Sequence, residues 1–258
     1  MAFTRKKVID VSKHNGTVNY EAIKNAGIYG VIIRVGYKHP GNPAVKDPKF
    51  EINYTHAKEA GLMVGAFWYS YAENVINAKE DATACLDFIK GKQFELPIYY
   101  DVEENSMISS KSKIQELNKM IPAFCSSVEN EKYFVGIYSS NSWFTSYISS
   151  ENAKRYTCWV ARWGIYKPTV EFDLWQYTAK ATFPDNFQPN GDITPFDCSY
   201  LYRDFPTIIK NNKLNGFANS LKYSITASTV VNNKNDVERI VETCKSLGMD
   251  TKTDVITK

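Results

Sequence analysis

Short apolar runs recur along the first two thirds of the chain, separated by stretches whose apolar positions return every three or four residues. Residues 7–12, 30–36, 63–69 and 96–102 are rich in Val, Ile and Tyr and predict strands. Between them, 19–26, 48–60 and 77–90 carry helical spacing, and the last of these sets Ala78, Ala82, Cys85, Leu86 and Ile89 along one stripe. Gly27 and Gly61 each follow a predicted helix, at the left-handed position that commonly ends one. A fourth helix spans 113–131, with Pro122 expected to kink it. The rhythm then changes. Residues 133–138, 157–161, 172–177 and 195–200 are strand-like, but the gaps between them hold only short helical pieces or loops.

Eight strands, the first five joined through helices and the last three crowded together, predict an α/β fold. The expected form is an irregular (β/α) barrel with degenerate helices in its second half. An open doubly wound sheet is the alternative, but no Gly-rich phosphate loop follows the first strand. The barrel is expected over 1–205, a polar, turn-rich linker over 206–219, and a small C-terminal β-α-β appendage over 220–258. In that appendage 222–229 and 252–256 predict strands around a helix over 234–247 closed by Gly248. A piece of this size is too small for a core of its own. It packs on the barrel, pairs with another chain, or is an incomplete module.

Composition narrows the function classes. Hydrophobic residues make up 43% and charged residues 23% of the chain, which excludes disorder. A net charge of +3 with both signs interspersed gives no basic arm for nucleic acid. No stretch is apolar enough to insert in a membrane, and Arg5, Lys6 and Lys7 are followed by no apolar core of a secretion signal. Five widely spaced cysteines in apolar or helical settings read as buried free thiols, and three histidines make no metal site. Seventeen Tyr and five Trp exceed what a core needs, and such rings commonly serve as platforms for sugars.

The candidate chemistry lies in four acids on strands. Asp10 ends the first, Asp101 and Glu103 end the fourth, and Asp197 sits in the last. An acid in an apolar strand costs several kcal/mol if unpaired, so four converging ones demand a purpose. In a barrel, side chains at the C-terminal ends of strands meet on the catalytic face. Alternation puts Asp101 and Glu103 on one side, about 6.6 Å apart along the backbone. Cleavage of a glycosidic bond needs such a pair, one carboxyl protonated and one ionised, and negative neighbours raise one pKa. Glu104 follows directly, but alternation points it outward and favours Glu103.

These residues belong to a longer series: Asp10-Val-Ser-Lys-His-Asn-Gly16, Gly30-Val-Ile-Ile-Arg-Val-Gly36, Gly65-Ala-Phe-Trp-Tyr69, Ala78 with Asp81, Tyr100-Asp-Val-Glu103, Tyr138-Ser139, Trp159-Val-Ala-Arg-Trp163, Leu174-Trp-Gln-Tyr177 and Phe196-Asp197. In order and spacing the series resembles glycoside hydrolase family 25, the muramidases of phage endolysins and bacterial autolysins, over roughly residues 7–205. The resemblance implies retaining hydrolysis of the β-1,4 bond between N-acetylmuramic acid and N-acetylglucosamine, without metal or other cofactor. It implies that Glu103 acts as acid and then base, and that Asp101 either stabilises the sugar cation or orients the substrate acetamide. Asp10 and Asp197 would flank the pair. Tyr69, Tyr138, Trp159 and Gln176 match positions lining the cleft. Arg34, also counted among the substrate-side residues, is expected to act as the buried partner of an acid. Trp175 is assigned equally to core and cleft, and His14 to the surface.

The resemblance further implies bacterial peptidoglycan as the partner, and an endolysin held in the host cytoplasm until a holin-type opening of the membrane. An autolysin of the same chemistry and a non-catalytic peptidoglycan-binding barrel are the rival readings. A chitinase-like barrel fits less well, because residues 96–100 are apolar where those enzymes carry a longer acidic run. The appendage weakly resembles part of a wall-binding domain, and is expected to bind cell wall or mediate self-association.

Overall fold

The computed structural model describes residues 3–181, 195–217 and 234–246. Eight strands close into a barrel: β1 (Lys6–Val11), β2 (Gly30–Lys38), β4 (Met63–Ser70), β5 (Ile98–Asp101), β6 (Val135–Ser140), β7 (Thr157–Ala161), β8 (Leu174–Ala181) and β9 (Phe196–Leu201), the last pairing back to β1. The short β3 (Val45–Lys46) pairs with the end of β2 outside the ring. All eight expected strands are present.

Helices α1 (Tyr20–Asn25), α2 (Phe50–Glu59), α3 (Val75–Ile89) and α4 (Lys111–Asn130) provide the crossovers of the first half. Asn19, Asn74 and Ser110 cap three of them, each accepting a backbone N–H of the first turn. Only the short α5 (Asn141–Ser146) and α6 (Ser150–Arg155) separate β6 from β7, and a helix-free loop joins β7 to β8. α4 runs through Pro122 as a single element. Proline has no N–H for the carbonyl of Asn118, and Asn152 Nδ2 donates to that oxygen instead, at 3.0 Å.

The strand directions depart from a wholly parallel barrel. β1 to β8 are parallel neighbours within the ring, whereas β9 runs antiparallel to both β8 and β1. Asp197 therefore sits near the start of its strand, not the end, and the reversal is what brings it to the same mouth as Asp10, its cross-strand partner.

Inside the barrel Val8, Ile32, Phe67, Leu96, Tyr99, Tyr138, Trp159, Leu174 and Leu201 form one apolar cluster, and a larger one fills the space between strands and helices. Gly136 on β6 leaves room for the Tyr99 ring, since a Cβ there would collide with Tyr99 and Thr157. The lumen cluster is completed by Phe205 and Ile209 from α7 (Phe205–Asn211). This corrects the reading of 206–219 as a linker, as far as its residues are described. Pro206 and Ile209 are buried, and so is Asn215, which donates to the carbonyls of Phe94 and Leu96 and accepts from Phe134 N. A polar sequence here hides a few apolar anchors and one asparagine that satisfies strand ends.

Residues 220–258 form a second compact unit. Its described part is α8 (Lys234–Ser246), in agreement with the helix expected there. The strands expected at 222–229 and 252–256 lie outside the described residues.

Candidate active site

The strand register assembles the site. Tyr69, Asp101, Tyr138 and Trp159 are successive lateral partners across β4, β5, β6 and β7, and Asp10 opposes Asp197 across β1 and β9. A cleft of about 180 Å³ opens at this end, and Asp10, Arg34, Tyr69, Asp101, Glu103, Tyr138, Trp159, Gln176 and Asp197 all line it. The nine side chains singled out from sequence thus share one cavity. Val11, Ser12, Asn15 and Phe67 line it too and were not singled out. Ser12 and Asn15 form a reciprocal cap of side chain to backbone, a pattern legible in the sequence as a short helix start.

The four acids differ in depth and partners. Asp101 is buried, and its Oδ1 has no hydrogen-bond partner among the described residues. Burial, then the charges of Glu103 and Asp10, push its pKa well above the usual carboxylate range, while Arg34 pulls it back. Glu103 stands at the mouth and is exposed as a residue. Its carboxyl is nonetheless crowded by protein, and that burial, then Glu104 and Asp197, raise its pKa. Asp10 is raised well above its usual value by burial and by Asp197, against the donation of Gln176 Nε2 to its Oδ2 at 3.1 Å. Asp197 is raised by burial and lowered by its hydrogen bond with Asp10. The two carboxyls are hydrogen-bonded to each other and titrate as a pair. A cluster of this kind holds protons at neutral pH, because four charges in so small a volume repel one another.

Around the acids the polar side chains form a chain of donors. Tyr138 Oη and Trp163 Nε1 both donate to Gln176 Oε1, at 2.9 and 3.1 Å, and Gln176 passes its own donor to Asp10. Trp159 is 1% exposed, gives its indole N–H to Ser199 Oγ and lies under Tyr138 at 4.4 Å. It makes the floor of the cleft. Trp175 is buried, with its N–H on the carbonyl of Arg162, which answers the choice between core and cleft in favour of packing. His14 is exposed.

Arg34 has a buried acid partner, and the partner is Asp47. Arg34 Nε meets Asp47 Oδ2 at 2.8 Å, and the same carboxylate accepts the backbone N–H groups of Lys13 and Lys49. Asp47 thereby ties the loop after β1 to β2, while Arg34 Nη2, beside the cleft, is buried without a partner among the described residues. No apolar run or motif marks Asp47 in the sequence, where it lies in a polar, proline-bearing turn.

Glu104 does not point outward. β5 ends at Asp101, so alternation no longer governs the residues after it, and Glu104 Oε1 accepts the Tyr69 hydroxyl at 2.6 Å.

A closed barrel with one reversed strand and an acid cluster at a single mouth describes a glycoside hydrolase of the (β/α)-barrel type. Residues 9–186 match the model of Glycosyl hydrolases family 25, and the chain belongs to that family. Lysozyme M1 of Streptomyces globisporus is 28% identical over 191 residues, 66% of this chain and 61% of its own length. The autolytic lysozyme of Clostridium acetobutylicum is 24% identical over 165 residues, 64% of this chain and 47% of its own. The chain thus spans about half to three fifths of these two curated relatives. Among solved structures, the modular autolysin LytC of Streptococcus pneumoniae, in complex with a synthetic peptidoglycan ligand, aligns with TM-score 0.65 at 27% identity, over 77% of this chain and 47% of that one. The bacterial lysozyme of Streptomyces coelicolor aligns with TM-score 0.62 at 22% identity, over 83% and 98%, a likeness of fold.

Proposed function

We propose that this chain is a muramidase that hydrolyses the β-1,4 bond between N-acetylmuramic acid and N-acetylglucosamine in bacterial peptidoglycan. The observation that carries the reading is the acid cluster: two raised carboxyls, Asp101 and Glu103, one deep and one at the mouth of the same cleft. Membership of family 25 and the lysozyme relatives supply the substrate class.

In this reading Glu103, protonated and accessible, delivers its proton to the leaving oxygen and then activates the water. Asp101 presents a buried Oδ1 with no donor of its own, suited to accept the N–H of the substrate acetamide and hold its carbonyl oxygen toward the anomeric carbon. The negative charge of ionised Asp101 offsets the positive charge that grows on the sugar. Attack by the acetamide oxygen, followed by water on the same face of the anomeric carbon, would retain its configuration. Asp10 and Asp197, hydrogen-bonded to each other, contribute to the field of the cleft. In this reading the chain, like an endolysin, acts on the cell wall once the membrane is opened.

Digestion of purified cell walls with labelling of the new reducing ends tests the reading. Muramic acid ends are expected, and Glu103→Gln should cut their release by roughly 10²–10⁴-fold with the fold intact. Glucosamine ends, or new free amines, would replace the muramidase with another wall hydrolase.

A further inference from the structure

The order of strands around the ring sets a direction for the substrate. Asp10 and Asp197 stand on the adjacent strands β1 and β9, and Asp101, leading to Glu103, stands on β5 at the opposite side. A quarter turn from each lie two aromatic patches, again facing one another across the mouth. One is at the ends of β2 and β4, where His39 stacks on Tyr71 at 3.9 Å and 27°, and Tyr71 leans on Tyr69 at 5.0 Å. The other is the loop between β7 and β8, with Trp163 65%, Ile165 84% and Tyr166 71% exposed.

Other exposed large apolar side chains among the described residues are scattered singly, whereas these three fall within four consecutive positions. The loop is also held. Arg162 N donates to Gln176 O, Gly164 N to Tyr177 O, and Arg162 Nη1 to Lys167 O, which ties the base of the loop to β8 and to itself. Trp163 joins it to the cleft through Gln176, as Tyr69 joins the opposite patch.

We propose that the glycan strand crosses the barrel mouth along this diameter, from the His39–Tyr71 stack to the Trp163–Tyr166 loop, passing between the two carboxyl pairs. The inference rests on the muramidase reading above. A cleft of about 180 Å³ is smaller than the roughly 300–1,000 Å³ pockets that enclose a drug-sized ligand, so it holds the reacting sugars and the polymer must run on over the rim. Hexosamine rings offer a C–H face to phenol and indole rings, and their acetamido and lactyl methyls suit Ile165. Along the other diameter the strand would lie over the acids themselves and bring no glycosidic oxygen between them.

The full chain carrying Glu103→Gln binds without turnover, and its affinity for peptide-free glycan oligomers can be measured from disaccharide to octasaccharide. Affinity should rise at least about tenfold with length. Adding Ile165→Ser with Tyr166→Ala should remove the gain from one end, and His39→Ala the gain from the other, with disaccharide binding unchanged. A length dependence that survives both variants overturns the proposed path while leaving the muramidase reading intact. Loss of self-association in the Ile165–Tyr166 variant, with glycan binding unaltered, would assign the loop to a second copy of the chain instead. No binding at any length would overturn both readings.

Discussion

The Tyr69 hydroxyl donates to Glu104 Oε1 across 2.6 Å, which turns the acid beside the candidate pair toward the rim of the cleft. There its charge raises the pKa of Glu103. Glu104→Gln removes that charge and keeps an acceptor for Tyr69. Glu103 must be protonated to act as acid, so lowering its pKa should move the alkaline limb of the kcat/KM profile to lower pH. Reducing-end release across a pH series measures this. An unmoved limb would mean that Glu103 is not the titrating acid.

Gln176 connects both donors of the cleft wall, Tyr138 and Trp163, to Asp10. Gln176→Leu leaves the buried Tyr138 hydroxyl without its acceptor, at a cost of about 1–3 kcal/mol in stability. It also withdraws the hydrogen bond that lowers Asp10, so Asp10 holds its proton to higher pH. Urea unfolding should show the loss of stability, and the carboxyl resonance of Asp10 should titrate later than in the parent chain. Unchanged titration would show that Gln176 does not act on Asp10.

What could be read from the sequence was whatever has a period or a local contrast. The strands stand out because Val, Ile and Tyr cluster in them, and Asp10, Asp101 and Asp197 stand out because an acid in such a run is anomalous. The direction of β9 could not be read, because alternation looks the same whichever way a strand runs; the reversal is a matter of its partners β1 and β8. Alternation also misled at Glu104, since it says nothing about where a strand stops, and β5 stops at Asp101. Asp47 and Asn215 were invisible for another reason. Each works through contacts with residues distant in the chain, and each lies in a polar turn whose composition is that of any loop.

Asp81 on α3 is a buried acid behind the cleft strands. It accepts from Ser70 Oγ at 2.8 Å and is reached by Tyr100 Oη at 3.4 Å, the neighbours of Tyr69 and Asp101 that face the other way. Burial lifts its pKa from 3.8 to about 7, against the hydrogen bonds from Ser70 and Tyr100 and the charge of Lys38. A folded pKa above the unfolded one gives stability that is full below about pH 4 and fades as pH rises through 7, a difference on the order of 4 kcal/mol. Asp81→Asn keeps an acceptor and does not titrate. The gap between parent and variant in urea unfolding should therefore change with pH over that window, the parent losing ground toward alkaline pH. A gap that stays constant would mean that Asp81 is ionised throughout.

Asn215 decides where the barrel unit ends. Its side chain serves two carbonyls, Phe94 and Leu96, and the N–H of Phe134, while its own N–H reaches Lys132 O. All of these groups belong to chain ends entering β5 and β6, on the side of the barrel away from the cleft. Asn215→Ala leaves buried polar groups without partners, at about 1–3 kcal/mol for each. The backbone adds a second cost, because Asn215 holds φ at 52°, where asparagine is tolerated better than alanine. A chain cut after residue 205 loses Asn215 and also Ile209, whose burial contributes about 1.5–3 kcal/mol. The expected order of denaturation midpoints is thus residues 1–219 highest, Asn215→Ala in that chain lower, and residues 1–205 lowest or unfolded. Were 1–205 to unfold at the same denaturant concentration as 1–219, the segment after β9 would be a tether and not a part of the barrel.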